Sequence, residues 1–172
     1  FNELLLDDII YFYGYLLGDG CISKGRLIKL CDGHPNKKLS LYSLKFLTNI
    51  QNFLKNKFNV YSKITHINNK YELVSVSTSL SRFFKFFYGF KKDIGFITKP
   101  SIIRDDNEKS KVFYRGLFDA DAGIKVKDKY LFYKCKDTKF LRSCISDFKK
   151  YGINTSNICF DNNDISYFKI YS

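Results

Sequence analysis

Two short stretches of this chain carry one pattern, 102 residues apart. The first is Tyr13-Gly14-Tyr15-Leu16-Leu17-Gly18-Asp19-Gly20. The second is Arg115-Gly116-Leu117-Phe118-Asp119-Ala120-Asp121-Ala122, followed by Gly123. Each is an apolar helical segment with small residues four apart, closed by an acid and a glycine. Residues four apart share one helix face. Gly14 with Gly18, and Gly116 with Ala120, therefore form smooth stripes along which two helices can come to near backbone contact. Two such helices, one from each half of a duplicated fold, would bring Asp19 beside Asp121.

That arrangement is electrostatically poor unless something positive joins it. A helix C-terminus carries partial negative charge, and a carboxylate there loses roughly 0.3–1 kcal/mol. A second carboxylate adds repulsion. A hard divalent cation relieves both, and carboxylates with backbone carbonyls suit Mg²⁺, which keeps several waters and shares ligands with phosphate. Metal beside a scissile phosphate can activate water and stabilise the leaving oxygen. Gly20 and Gly123 are expected to end their helices in the left-handed conformation.

The repeat extends beyond the motifs. Further along, the offset falls to 94: Phe46 matches Phe140, Leu47 Leu141, Leu54 Phe148, and Asn68-Asn69 matches Asn162-Asn163. The eight-residue difference is assigned to an extra loop over residues 32–39, which holds Gly33, Pro35 and Asn36. Each half reads helix, hairpin, helix, hairpin. Helices are predicted at 5–18, 40–57, 80–88, 111–120 and 138–151. Strands are predicted at 20–23, 26–31, 60–67, 71–77, 124–127, 130–136, 156–160 and 165–171. Turns fall at Lys24-Gly25 and Asn68-Asn69-Lys70. The division is residues 1–94 for the first half, 95–110 for a linker from Gly95 to Ser110, and 111–172 for the second half. The second half stops where the first begins its closing helix, so its last helix is apparently absent.

Composition narrows the partners. Lys and Arg number 29 against 17 Asp and Glu, a formal charge of +12 spread along the chain. This points to a polyanion, nucleic acid first. No apolar run approaches the roughly 20 residues of a membrane span, so no membrane partner is expected. Five cysteines at irregular spacing offer no zinc or disulfide framework and read as reduced core thiols of a cytosol-like compartment.

The two segments resemble the signature motifs of the LAGLIDADG homing endonucleases, in the single-chain, two-motif form. Gly116-Leu117-Phe118-Asp119-Ala120-Asp121 is similar to the signature throughout, and Gly14 to Gly20 to a looser version. The order of helices and hairpins covers nearly the whole chain, and Cys31-Asp32-Gly33-His34-Pro35 looks like archaeal intron-encoded members. The resemblance implies an α+β fold of two αββαββα halves related by a pseudo-twofold axis. Their antiparallel sheets form a DNA-binding saddle, with the two motif helices at the centre. It implies that Asp19 and Asp121 bind metal and direct hydrolysis, with the carbonyls of Gly18 and Ala120 as further ligands. Asp119 reads as structural. A basic or amide residue usually completes such a site. The usual glutamine at the end of the second strand is not evident, since Asp32, Gly33 or His34 stands there. The basic candidates are Lys125, Lys127, Lys24 and Lys134, with Lys125 taken as catalytic.

The implied activity is site-specific double-strand DNA cleavage by a monomer, with short 3′ overhangs, serving intron mobility. Mg²⁺ would be the cofactor, with Mn²⁺ substituting and Ca²⁺ supporting binding without cleavage. The implied alternatives are an RNA maturase acting on intron RNA, and a DNA-binding relative that no longer cuts. The implied location is the cytoplasm of an archaeal cell, an organelle being the alternative. The DNA-binding candidates are Lys24, Arg26, Lys29, His34, Lys63, Thr65, His66 and Lys70 in the first half. In the second they are Lys127, Lys129, Lys134, Lys136, Asn162 and Asn163, with Asn157 and Lys169 beside them. Lys and Arg suit phosphates or guanine, and Asn suits adenine.

Overall fold

A computed structural model describes residues 6–34, 36–90 and 97–171, apart from the side chains of 37–39. Leu5, Pro35 and Gly95, which the sequence assigns to a helix start, a loop and the linker, lie outside the described residues. The first half comprises α1 (Asp7–Asp19), β1 (Gly20–Ser23), β2 (Leu27–Asp32), α2 (Lys37–Phe58), β3 (Ser62–Ile67), β4 (Lys70–Val76) and α3 (Thr78–Phe87). A single 3-10 turn, Ser101–Ile103, leads into the second half. This comprises α4 (Asn107–Asp121), β5 (Ala122–Lys125), β6 (Tyr130–Lys134), α5 (Thr138–Lys150), β7 (Cys159–Phe160) and β8 (Ser166–Tyr171). Each half forms one antiparallel sheet, with orders β1-β2-β4-β3 and β5-β6-β8-β7. The expected α+β architecture of two repeated halves is present.

The two halves meet where α1 and α4 cross, the most extensively packed pair of elements. A methyl group on Gly14 would strike the Phe113 carbonyl and lie 2.9 Å from Leu117 N. One on Gly116 would strike the Tyr11 carbonyl and lie 3.1 Å from Tyr15 N. Nothing larger than hydrogen fits at either crossing point. The pair is pinned further by the Tyr11 hydroxyl, which donates to Asp119 at 2.8 Å, and by Arg115 lying 5.7 Å from the Tyr11 ring centroid. Asp119 thus acts between helices, as its place in the motif suggests.

Local chemistry accounts for the remaining elements. Lys24 and Gly25 both have positive φ (49° and 67°), as do Asn68 and Asn69 (47° and 67°). Asn68 and Asn69 form a two-residue hairpin turn whose twist matches that of the strands, and Lys24 and Gly25 lie in a three-residue connection between Ser23 and Leu27. Helix starts are capped: Ser77 accepts from Leu80 N, Asp106 from Lys109 N, and Asp137 from Lys139 N and Phe140 N. Aromatic rings fill both cores. Phe12 packs on Phe53 and Phe84 in the first, and Phe118 on Tyr133 and Phe148 in the second.

Several expectations are corrected. Gly20 has φ −106°, extended, and Gly123 is not among the positive-φ glycines. Their small size serves packing instead. A Cβ on Gly20 would lie 2.5 Å from Leu16 Cδ1 and 2.8 Å from Leu30 Cδ2, and one on Gly123 would run into the Phe132 ring. Each chain leaves its helix straight into a strand. Of the residues assigned to an extra loop, Asp32 ends β2, Gly33, His34 and Asn36 lie in the connection, and the last three begin α2, which has 22 residues where α5 has 13. Helix α4 begins at Asn107 because Asp106 caps it, and β7 is only two residues long. The cysteines are free, but only Cys144 is buried, and Cys21 and Cys31 are exposed.

A buried ionic cluster ties the inter-half connection to the second core. Lys99 Nζ lies 2.7 Å from Asp147 Oδ2, and the Tyr114 hydroxyl donates to the same oxygen at 2.6 Å. The Lys99 and Asp147 side chains are 9% and 11% exposed, so neither charge has much water to fall back on. Burial alone would raise the Asp147 pKa. The hydrogen bonds from Lys99 and Tyr114 outweigh it and hold the carboxyl below its ordinary value.

Two outcomes follow. Gly14→Val or Gly116→Val should lower unfolding free energy by about 3 kcal/mol or more, at or above the upper end for overpacking, since backbone cannot yield. Urea denaturation measures this, and a loss under about 1 kcal/mol would contradict the crossing. The depressed Asp147 carboxyl contributes stability that is fully present above its unfolded pKa, about 3.9, and is lost as pH falls through its folded value. Asp147→Ala should cost about 3–5 kcal/mol at pH 7 by stranding Lys99. It should also flatten the acid limb of the stability–pH curve, read by denaturation from pH 7 to pH 2.

Candidate acidic centre and nucleic-acid face

The crossing sets the position of the two acids. Asp19 and Asp121 are the last residues of α1 and α4, whose closing bonds run from Gly20 N to Leu16 O and from Ala122 N to Phe118 O. A Cβ on Gly18 would stand 2.5 Å from Ala120 Cβ and 3.5 Å from Asp121 Cγ. The helix ends are therefore nearly in contact, with the Asp121 carboxyl over the last turn of α1. Asp19 is half-buried and Asp121 exposed. Neither helix has a basic residue in its last turn.

The donor set fits a hard divalent ion that is completed by its substrate. Among the described residues no three His, Cys, Asp or Glu side chains converge. Side chains would give such an ion two carboxylates. Carbonyl oxygens at the helix ends, water and a phosphate would supply the rest, the pattern suited to Mg²⁺. Gly18 and Ala120 are the residues whose carbonyls stand at those ends.

Beside Asp19 lies a feature that the motif alone did not signal. Tyr15 is buried, and the Asp32 carboxylate at the end of β2 lies close enough to act on its hydroxyl. Burial, then the Asp32 and Asp19 carboxylates, push its pKa far above the ordinary tyrosine value. Asp32 thus occupies the strand end where an amide was sought, beside the Tyr15 hydroxyl. The matching place after β6 holds Cys135.

Strand register sorts the basic candidates. In the first sheet Cys21, Lys29, Val74 and Lys63 are cross-strand neighbours, and so are Cys31, Glu72 and Thr65. This row faces away from the core. Lys29, Lys63, Thr65 and Lys70 share it, with Lys29 3.2 Å from Glu72. His66 does not. It pairs with Tyr71, which pairs with Asp32, on the side of buried Leu73, and its ring stacks 4.7 Å from that of Tyr71. Lys24 and Arg26 stand exposed at the first hairpin tip, and His34 in the β2–α2 connection accepts from Asn36 N at 3.1 Å.

In the second sheet Lys125, Lys134 and Lys169 face outward with Tyr130, Phe132, Tyr167 and Tyr171. Lys127 and Lys129 are exposed in the β5–β6 turn, and Lys136 after β6. Asn162 and Asn163 form the β7–β8 turn, where Asp161 accepts from Asn163 N and Ile165 N and holds Lys134 at 2.9 Å. The Lys134 hydrogen bond is the main reason the Asp161 carboxyl is held below its ordinary value. Asn157 lies just before β7, its carbonyl accepting from Ser156 Oγ. Lys125 is four residues beyond Asp121, about 13 Å of strand, and pairs with Tyr130.

With this geometry in place, known proteins can be set beside it. No family model and no curated protein sequence matches the chain. Solved structures do match, over most of its length. A variant of I-DmoI in complex with its target DNA in the presence of magnesium superposes with a TM-score of 0.67 at 20% identity, covering 98% of this chain and 91% of that one. Mesophilic variants of the homing endonuclease I-DmoI give 0.65 at 18% identity, covering 94% and 86%. The N-terminal LAGLIDADG domain of DUF199/WhiA gives 0.59 at 14% identity, covering 96% and 76%. The chain has the single-chain LAGLIDADG fold.

Tyr15→Phe should cost about 1 kcal/mol at pH 7, because it removes a buried hydroxyl beside the half-buried Asp32 carboxyl. Urea unfolding compared with Asp32→Asn checks the assignment. Wild-type stability in Tyr15→Phe would mean that this hydroxyl contributes nothing.

Proposed function

We propose that this chain is a monomeric, metal-dependent endonuclease that cuts both strands of a long, specific DNA duplex. The observation that carries the reading is the pairing of Asp19 with Asp121 at touching helix ends, between two sheets with lysine-bearing outer faces. A carboxylate at a helix C-terminus is disfavoured by the helix dipole, and phosphodiester hydrolysis needs charge at such a point. The +12 charge suits a duplex carrying one negative charge per roughly 1.7 Å.

Each residue then has a task. Asp19 and Asp121, with the Gly18 and Ala120 carbonyls, would hold Mg²⁺. When bound, the ion supplies an activated water and charge for the leaving oxygen. Structures of I-DmoI with DNA and magnesium, manganese or calcium support a hard divalent ion here. Lys29, Lys63, Lys134 and Lys169 seat the backbone or read guanine, and Asn162 and Asn163 read adenine from their turn. Lys125 is the proposed basic residue that orders water. Cleavage of a long site by one chain suits a role in intron mobility.

The test is selection from a randomised duplex library with Mg²⁺ and a Ca²⁺ control. One long motif cut on both strands with Mg²⁺, and bound uncut with Ca²⁺, is expected. Asp19→Asn or Asp121→Asn should slow cutting about a hundredfold or more while target affinity holds. Wild-type cutting in either variant sinks the mechanism. Binding without cutting by the wild type would replace it with a non-cleaving DNA binder or an RNA maturase.

A further inference from the structure

The outer faces of the two sheets are chemically unlike. Across the first, the outward row is Cys21, Lys29, Val74, Lys63, Cys31, Glu72 and Thr65, with no ring among them. Across the second, four rings from adjacent strands face outward: Tyr130 and Phe132 on β6, Tyr167 and Tyr171 on β8. Tyr130 lies 6.3 Å from both Phe132 and Tyr171, near perpendicular to each. The far end of the Phe132 ring lies over Gly123, where any side chain would strike it. Cations border the rings: Lys169 stands 4.8 Å from the Tyr130 centroid, and Lys134 stands 5.7 Å and 5.9 Å from those of Phe132 and Tyr167.

A base-paired duplex offers a protein only base edges and the thymine methyl in its major groove. An array of rings gains little from edges. It gains most from unpaired bases, whose faces stack on aromatic side chains while lysines take the phosphates. We propose that the outer face of the second sheet binds an unpaired polynucleotide strand, with bases on Tyr130, Phe132, Tyr167 and Tyr171 and phosphates on Lys134 and Lys169. This rests on the chemistry of the sheet and the charge of the chain, independently of cleavage.

Tyr130→Leu with Tyr171→Leu tests it, because leucine keeps apolar bulk and removes the stacking face. Circular dichroism and thermal melting first establish that the double variant folds, since cross-strand rings also support a sheet. Fluorescence anisotropy then compares a short single-stranded DNA of mixed sequence with its own duplex over a range of salt. Wild-type protein should bind the single strand with a component that persists at high salt. The variant should lose about tenfold or more of that affinity and keep duplex affinity within a factor of two. Single-strand binding that vanishes with salt in the wild type overturns the proposal. So does equal loss on both ligands, or no loss at all. Should the variant fail to fold, Tyr130→Leu and Tyr171→Leu singly carry the same comparison. Asp19→Asn should leave single-strand binding unchanged, which separates failure of this surface from failure of the nuclease reading.

Discussion

Everything in this molecule depends on two peptide backbones touching. Gly14 and Gly116 let α1 and α4 cross with no side chain between them, and the helix ends then converge because Gly18 and Ala120 continue the same stripes. Neither Asp19 nor Asp121 has to reach for the other. The crossing holds them together, and the Tyr11–Asp119 hydrogen bond fixes the angle from the far side.

The halves repeat one plan and differ in chemistry. The first has Tyr15 and Asp32 beside its acid, whereas the second has Cys135 at the matching strand end. The first sheet presents thiols, aliphatics and a Lys29–Glu72 pair, and the second presents rings and lysines. Such divergence lets two halves of one chain grip chemically different parts of a ligand, which a symmetric pair of identical subunits cannot do.

The motifs, hairpin turns and helix order were legible because each follows from local rules: four-residue spacing, short turns and alternation. The duplication made a single weak motif persuasive. What could not be read locally was whatever depends on a remote neighbour. Gly20 and Gly123 are glycines because of Leu30 and Phe132, not because of their own backbone angles. The face taken by His66 was hidden by the run Leu73-Val74-Ser75-Val76, which does not alternate, and only register with Tyr71 settles it. The extra residues before α2 carry turn formers, and only the last three of the eight join the helix. Asp32 was noticed as a strand end, but its approach to Tyr15 is a tertiary contact.

The α1–α4 crossing also orders events in time. Hairpins and helices within each half form between near neighbours, whereas Asp19 and Asp121 stand 102 residues apart. Long-range contacts of this kind form late, after loop-closure entropy has been overcome. During synthesis the N-terminal half emerges first, so Asp19 waits alone until Asp121 has been made and folded. The acidic centre therefore comes into being only with the finished molecule, and a half-made chain carries the basic surface without it.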